Sequence, residues 1–222
     1  FKKLNKYFIV PKVSKNISDV KEPCLENKVT PKISDSLDSA INTDVNSAIE
    51  TEVWQWLDSV VIGLNLCPFA KKPRTQQQIE LHVSNKPSMV AISEDFEKAL
   101  LKLSKTPAEQ TDTTVFVIPH LVEDFYVYLD FLDSANNINS DLGFEGVFQL
   151  ASFHPDYQFD GAEADARENL TNRAPYPIIH IIREDSMSRV LKQYPDPELI
   201  PERNMEKMEQ LTTNEVNQLF PY

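Results

Sequence analysis

Between Val147 and Glu184 the sequence gathers His154, Asp156, Tyr157, Asn172, Arg173 and Tyr176 into one polar connection of about two dozen residues, with His180 and Arg183 in the apolar run behind it. Structureless loops longer than about 12–15 residues are uncommon in compact domains unless they are functional or disordered. Histidine titrates near neutrality without any help from its surroundings, so His154 and His180 are candidates for acid–base work. A guanidinium held on a stiff loop suits bidentate recognition of a carboxylate or phosphate. Pro175 and Pro177 would hold Asn172, Arg173 and Tyr176 in such a geometry, with Tyr157 as an apolar wall and Arg183 as a second cation. The expectation is a site in the loop 154–177 that acts on a small anionic molecule, with thiol- or histidine-assisted hydrolysis or transfer as the first reaction class to consider.

Cys67 is the third candidate for catalysis. Lys71, Lys72 and Arg74 follow it and would favour a thiolate nucleophile. It also continues an apolar helical stripe, and there a free cysteine behaves as a small buried hydrophobe. At the C-terminal end of that helix the macrodipole opposes a negative charge. His180 alternates with Ile178 and Ile182, so a satisfied core imidazole is its plain reading, and Arg183 beside Glu184 reads equally as an ion pair. No pair of residues has the spacing of H-E-x-x-H or C-x-x-C, and no metal site is assigned. A metal- or haem-binding module would have to gather Cys67, His154 and His180 from remote segments. An interaction domain without a site is the other alternative. No cofactor is indicated.

The totals narrow the field. The 222 residues carry a net charge of −12, and residues 1–50, with 8 Lys against 7 Asp and Glu, hold none of that excess. Such acidity argues against a nucleic-acid partner, because neutralising phosphates supplies most non-specific affinity. No apolar run approaches the ~20 residues that span a bilayer. Two cysteines, Cys24 and Cys67, suggest no disulfide framework and point to a reducing, cytoplasmic setting. The four glycines form neither G-x-G-x-x-G nor G-x-x-x-x-G-K-[ST], and no serine sits in G-x-S-x-G.

The elements that must position these residues follow from periodicity. Residues 1–50 read as a flexible extension with a basic, acid-free start, Phe1–Lys15; an organellar location is the alternative if that start is a transit segment. Residues 51–222 read as a single domain. Val53, Leu57, Val60, Leu64 and Cys67 mark one helix face, ending near Leu66 ahead of Pro68. Strands are expected over 79–83, 113–119, 147–153 and 178–183, and helices over 93–105, 123–136, 186–193 and 201–211. The alternation predicts a layered α/β fold, with helices on a largely parallel sheet of about four strands. A ferredoxin-like α+β sandwich is the alternative.

GLNLCPFA (63–70), FEGVFQLASFHPDYQF (144–159), NLTNRAPYPIIHIIRE (169–184) and PDPELIPERN (195–204) resemble a mostly bacterial family catalogued as domain of unknown function 1415. The resemblance covers roughly residues 54–211 and implies a soluble domain; it implies no particular activity.

Overall fold

A computed structural model describes the backbone from Asp35 and the side chains from Val45 to the C-terminal Tyr222. The basic start and Cys24 lie outside the described residues. Helix α1 runs over Asp35–Trp56 and widens into a π-helical turn, Leu57–Ile62. It begins well before the expected Thr51, and residues 35–50, assigned by composition to a flexible extension, are helical. The sequence does carry the signal: Leu37, Ile41, Val45, Ile49, Val53 and Leu57 recur at every fourth position, diluted by Ser, Asn and Asp. The helix also stops sooner than expected, at Ile62. A Cβ at Gly63 would collide with the Ser59 carbonyl, and Asn65 turns the backbone into the left-handed region at φ 58°. Cys67 therefore lies in a turn ahead of the short helix α2 (Lys71–Thr75) and not at a helix terminus.

Four strands form the sheet: β1 (Ile79–Val83), β2 (Thr113–Val117), β3 (Phe148–Phe153) and β4 (Ile178–Arg183). Their order is β1-β2-β4-β3. β1 pairs parallel with β2, whereas β4 runs antiparallel to both β2 and β3. The layered four-strand α/β architecture stands, and the strand directions are mixed. β1, β2 and β3 share one direction, linked through α3 (Met89–Lys105) and α4 (Phe125–Asp141). The β3–β4 connection holds only a 3-10 turn, Arg167–Asn172, and no crossover helix, so β4 returns antiparallel between its neighbours.

Helices cover both faces. Phe116, Phe148, Leu150, Ile179 and Ile181 point into the core shared with α3 and α4. Val115, Val117 and Ile178 point the other way, toward α1, the π turn, α6 (Ile200–Gln210) and α7 (Thr213–Leu219). Ala151 and Ile182 on that second face meet Met187 of α5 (Glu184–Leu191). Three layers of this kind exclude the ferredoxin-like sandwich. Helix α3 starts four residues before the expected Ser93: Ser88 caps it by accepting from the Ala91 N–H at 3.3 Å, and the Asp124 carboxylate caps α4 by accepting from Tyr126 and Val127.

One buried hydroxyl ties α4 to the sheet. Tyr128 Oη donates to the Ile178 carbonyl (2.8 Å) and accepts from the Phe153 N–H (3.1 Å), bridging the ends of β4 and β3. Removing it leaves two buried backbone groups unpaired, so Tyr128→Phe should lower the unfolding free energy by about 1–3 kcal/mol in urea titrations.

Candidate functional site

The second face of the sheet carries a cavity of about 740 Å³. Strand alternation sets its floor. Thr113 pairs with Ile182 and Val115 with His180, so the side chains of Thr113, Val115, Ile178, His180 and Ile182 rise from the same face. Trp56, Leu57 and Val61 wall one side, Met187 and Val190 of α5 another, and the turn Cys67–Ala70 closes over them. The walls are mainly apolar, and the mouth carries Lys72, Gln76, Glu109 and Arg189. A π turn adds a residue to its coil, which here lets the consecutive Val60 and Val61 both be buried; such turns recur at functional sites.

His180 and Cys67 both line this cavity. Burial holds the His180 imidazole far below its ordinary range, at about 4, so the ring is neutral near pH 7. Its Nε2 lies 2.5 Å from Thr113 Oγ1. Burial likewise pushes the Cys67 thiol up, against the backbone N–H groups of Phe69 and Ala70, which pull it down. Neither group is charged at rest. The turn that carries Cys67 is fastened from outside: Asn204 Nδ2 of α6 donates to the Leu66 carbonyl at 2.8 Å, and Phe69 packs edge-on against Tyr194 at 5.1 Å. Arg74, expected to favour a thiolate, instead pairs through two 2.8 Å bonds with Asp58 and lies over the Trp54 ring at 4.2 Å.

His154 lies apart from this cavity. It is fully buried against Phe125 and Tyr128 of α4, on the opposite face of the sheet. Its Nε2 donates to the Leu121 carbonyl (3.1 Å) and its Nδ1 accepts from the Asp156 N–H (3.0 Å), so both ring nitrogens are occupied. Burial lowers its pKa, with the Leu121 carbonyl, Asp156 and Asp124 opposing. The trio Cys67, His154 and His180 thus does not converge. Among the described residues no group of three or more His, Cys, Asp or Glu is placed to hold a metal ion.

The side chains expected to bind a ligand in the loop 154–177 are bonded within the protein. Arg173 Nη2 donates to the Ala164 carbonyl (2.9 Å) and its Nε to that of Tyr157 (3.4 Å). Asn172 Nδ2 donates to the Ser152 carbonyl at 3.0 Å. The buried Tyr157 hydroxyl lies 3.5 Å from Ser152 Oγ, and the Tyr176 hydroxyl donates to Glu52 at 2.9 Å. Asn169, which sequence reasoning passed over, is fully buried and holds the loop at three points: Phe159, Glu163 and Ala164. Arg183 points to the α3 side, where Nη2 donates to the carbonyls of Leu103 (2.6 Å) and Thr106 (2.5 Å) at the end of that helix. These bonds brace the loop against the ends of β3 and β4.

Two of the expected residues, Cys67 and His180, meet in one cavity, and the others do not join them. Thr113, Lys72 and Arg189 also line the cavity and were not among the expected site residues. Only the basic run 71–74 hinted at Lys72.

A family model described as "Protein of unknown function (DUF1415)" matches residues 48–218, which include every wall of the cavity. The chain belongs to this family. No curated protein and no solved structure matches it. Among the described residues no helix is long and apolar enough to cross a membrane.

Two outcomes are expected. In a Cys24→Ser background, alkylation of Cys67 should be slow and its midpoint should lie above the ordinary thiol value near 8.5, read as rate against pH. A midpoint below that value would contradict a buried neutral thiol. The unfolded chain binds a proton at His180 near its ordinary 6.5, and the folded chain only near 4. Stability contributed by the neutral ring is therefore complete above 6.5 and falls as pH drops toward 4. The difference between wild type and His180→Phe should change across that window by up to about 3 kcal/mol in urea unfolding.

Proposed function

We propose that the protein binds a small amphipathic acid in the cavity of the second sheet face, with the apolar body against the sheet and the anionic end at the mouth. The size and lining of the cavity carry this reading: about 740 Å³, with mainly apolar walls and few polar groups. Sites for small organic ligands commonly enclose about 300–1,000 Å³ in just this kind of surface. The anionic end rests on the charges at the mouth. Glu109 and Asp112 lie in the field of Arg183, and Asp112 accepts from Ser186 Oγ at 2.5 Å. Lys72 has no acidic partner within salt-bridge distance among the described residues, and Arg189 donates only to the Ser186 hydroxyl, at 3.1 Å. The mouth therefore offers two cations to a ligand in a chain whose net charge is −12.

Binding is favoured over covalent turnover because the resting groups do not form an activated pair. Thiolate chemistry needs a lowered cysteine pKa, usually beside a protonated histidine, and burial moves Cys67 and His180 the opposite way.

The test uses hydrocinnamate and its neutral counterpart, hydrocinnamyl alcohol, titrated by calorimetry. The acid should bind more tightly to the wild type, and its advantage should shrink in 0.5 M salt relative to low salt, as expected where the Debye length falls to a few ångströms. Lys72→Gln with Arg189→Gln should cost the acid about 2- to 10-fold and leave the alcohol unchanged. Equal binding of acid and alcohol would remove the anionic requirement; no binding of either would remove the cavity as a ligand site.

A further inference from the structure

Two distances determine the tautomer of His180, whose ring lines the cavity floor. Thr113 Oγ1 lies 2.5 Å from His180 Nε2 and 2.6 Å from the Ile181 carbonyl oxygen. A hydroxyl has one proton to donate, and a carbonyl has none. Two oxygens at 2.6 Å hold that separation only with a proton between them, so the Thr113 hydroxyl donates to Ile181. Its lone pair then faces Nε2, and Nε2 must be the ring nitrogen that carries hydrogen. In a neutral imidazole the other nitrogen is a bare acceptor. Nδ1 of His180 has no hydrogen-bond partner among the described residues, and its ring lines the cavity.

We infer that the ligand of this cavity donates a hydrogen bond from its buried part to His180 Nδ1, so that the preferred class is an amphipathic acid bearing a hydroxyl or N–H on its apolar body. This rests on the proposed binding of such acids and narrows it. The neutral state of the ring near pH 7 agrees with an acceptor at that position. The geometry also makes Thr113 a positioning residue, because its hydroxyl selects the tautomer from the far side of the ring. An acceptor at the cavity floor rejects a ligand that places an ether or carbonyl oxygen there, since two lone pairs would then meet.

The experiment compares para-hydroxyhydrocinnamate with its methyl ether, para-methoxyhydrocinnamate, by NMR titration of wild type and His180→Phe. The phenol should bind about 3- to 10-fold more tightly than the ether in the wild type, and the preference should vanish in His180→Phe. A long-range proton–nitrogen correlation spectrum of the wild-type imidazole should show Nε2 protonated and Nδ1 bare. Equal binding of phenol and ether, or a proton on Nδ1, overturns this inference and leaves the amphipathic-acid site standing. Failure of both acids to bind overturns the site and the inference together. The wild-type measurements decide the matter even if His180→Phe does not fold.

Discussion

A slip of one residue between β2 and β4 would turn His180, Ile178 and Ile182 to the wrong face of the sheet. That register, Thr113 against Ile182 and Val115 against His180, is the constraint on which the cavity depends. It is fixed from both sides. Ile179 and Ile181 must reach the core under α3 and α4, while Ile178 must reach α1 and α6. Because both faces are buried, a slip would carry His180 into the α3–α4 core, away from Thr113, and set Ile179 and Ile181 in the floor of the cavity. Burying a leucine-sized side chain is worth about 1.5–3 kcal/mol, so a slip that misplaced several would be decisive.

The long loop joins two antiparallel neighbours, with Phe153 at the end of β3 opposite Ile178 at the start of β4, where a tight hairpin would suffice. Its length is therefore not required by the topology, and a loop of that length without an α-helix leaves many backbone groups to satisfy. Arg173, Asn172 and Asn169 satisfy several of them through side-chain bonds, and Trp56 Nε1 donates to the Arg173 carbonyl at 3.0 Å. His154 does the same work at the start of the loop, with one nitrogen on Leu121 and the other on Asp156. Much of the loop's polar richness meets the hydrogen-bonding requirement of its own ordered backbone.

This contrast shows what the sequence could and could not reveal. The four strands were legible because β-branched runs such as TTVFV and IIHIIR have few other uses, and the three-layer plan was implicit in β4 being apolar at both alternating sets of positions. Strand direction was only half legible: no helix is expected between 153 and 178, which allows an antiparallel return, whereas the helix–strand alternation elsewhere suggested a largely parallel sheet. The early start of α1 was hidden by polar residues between its fourth-position aliphatics. Residue type alone could not separate Cys67 and His180, which line the cavity, from His154, Arg173 or Arg183, which bond to carbonyls of the protein. The difference lies in which face of the sheet or which loop carries each residue, which residue type does not encode. Lys72 and Arg189 were beyond reach for the same reason: surface cations acquire meaning only from the cavity they border.

The two aliphatic sets of β4 provide the most direct measurement. Isoleucine methyl spectra recorded during a titration with hydrocinnamate compare neighbours on a single strand that face opposite layers. Shifts at Ile178 and Ile182, which line the cavity, with Ile179 and Ile181 unmoved, are the result this account requires. Shifts confined to Ile179 and Ile181, or no shift on β4 while the ligand binds elsewhere, would contradict the assignment of the functional site to this face.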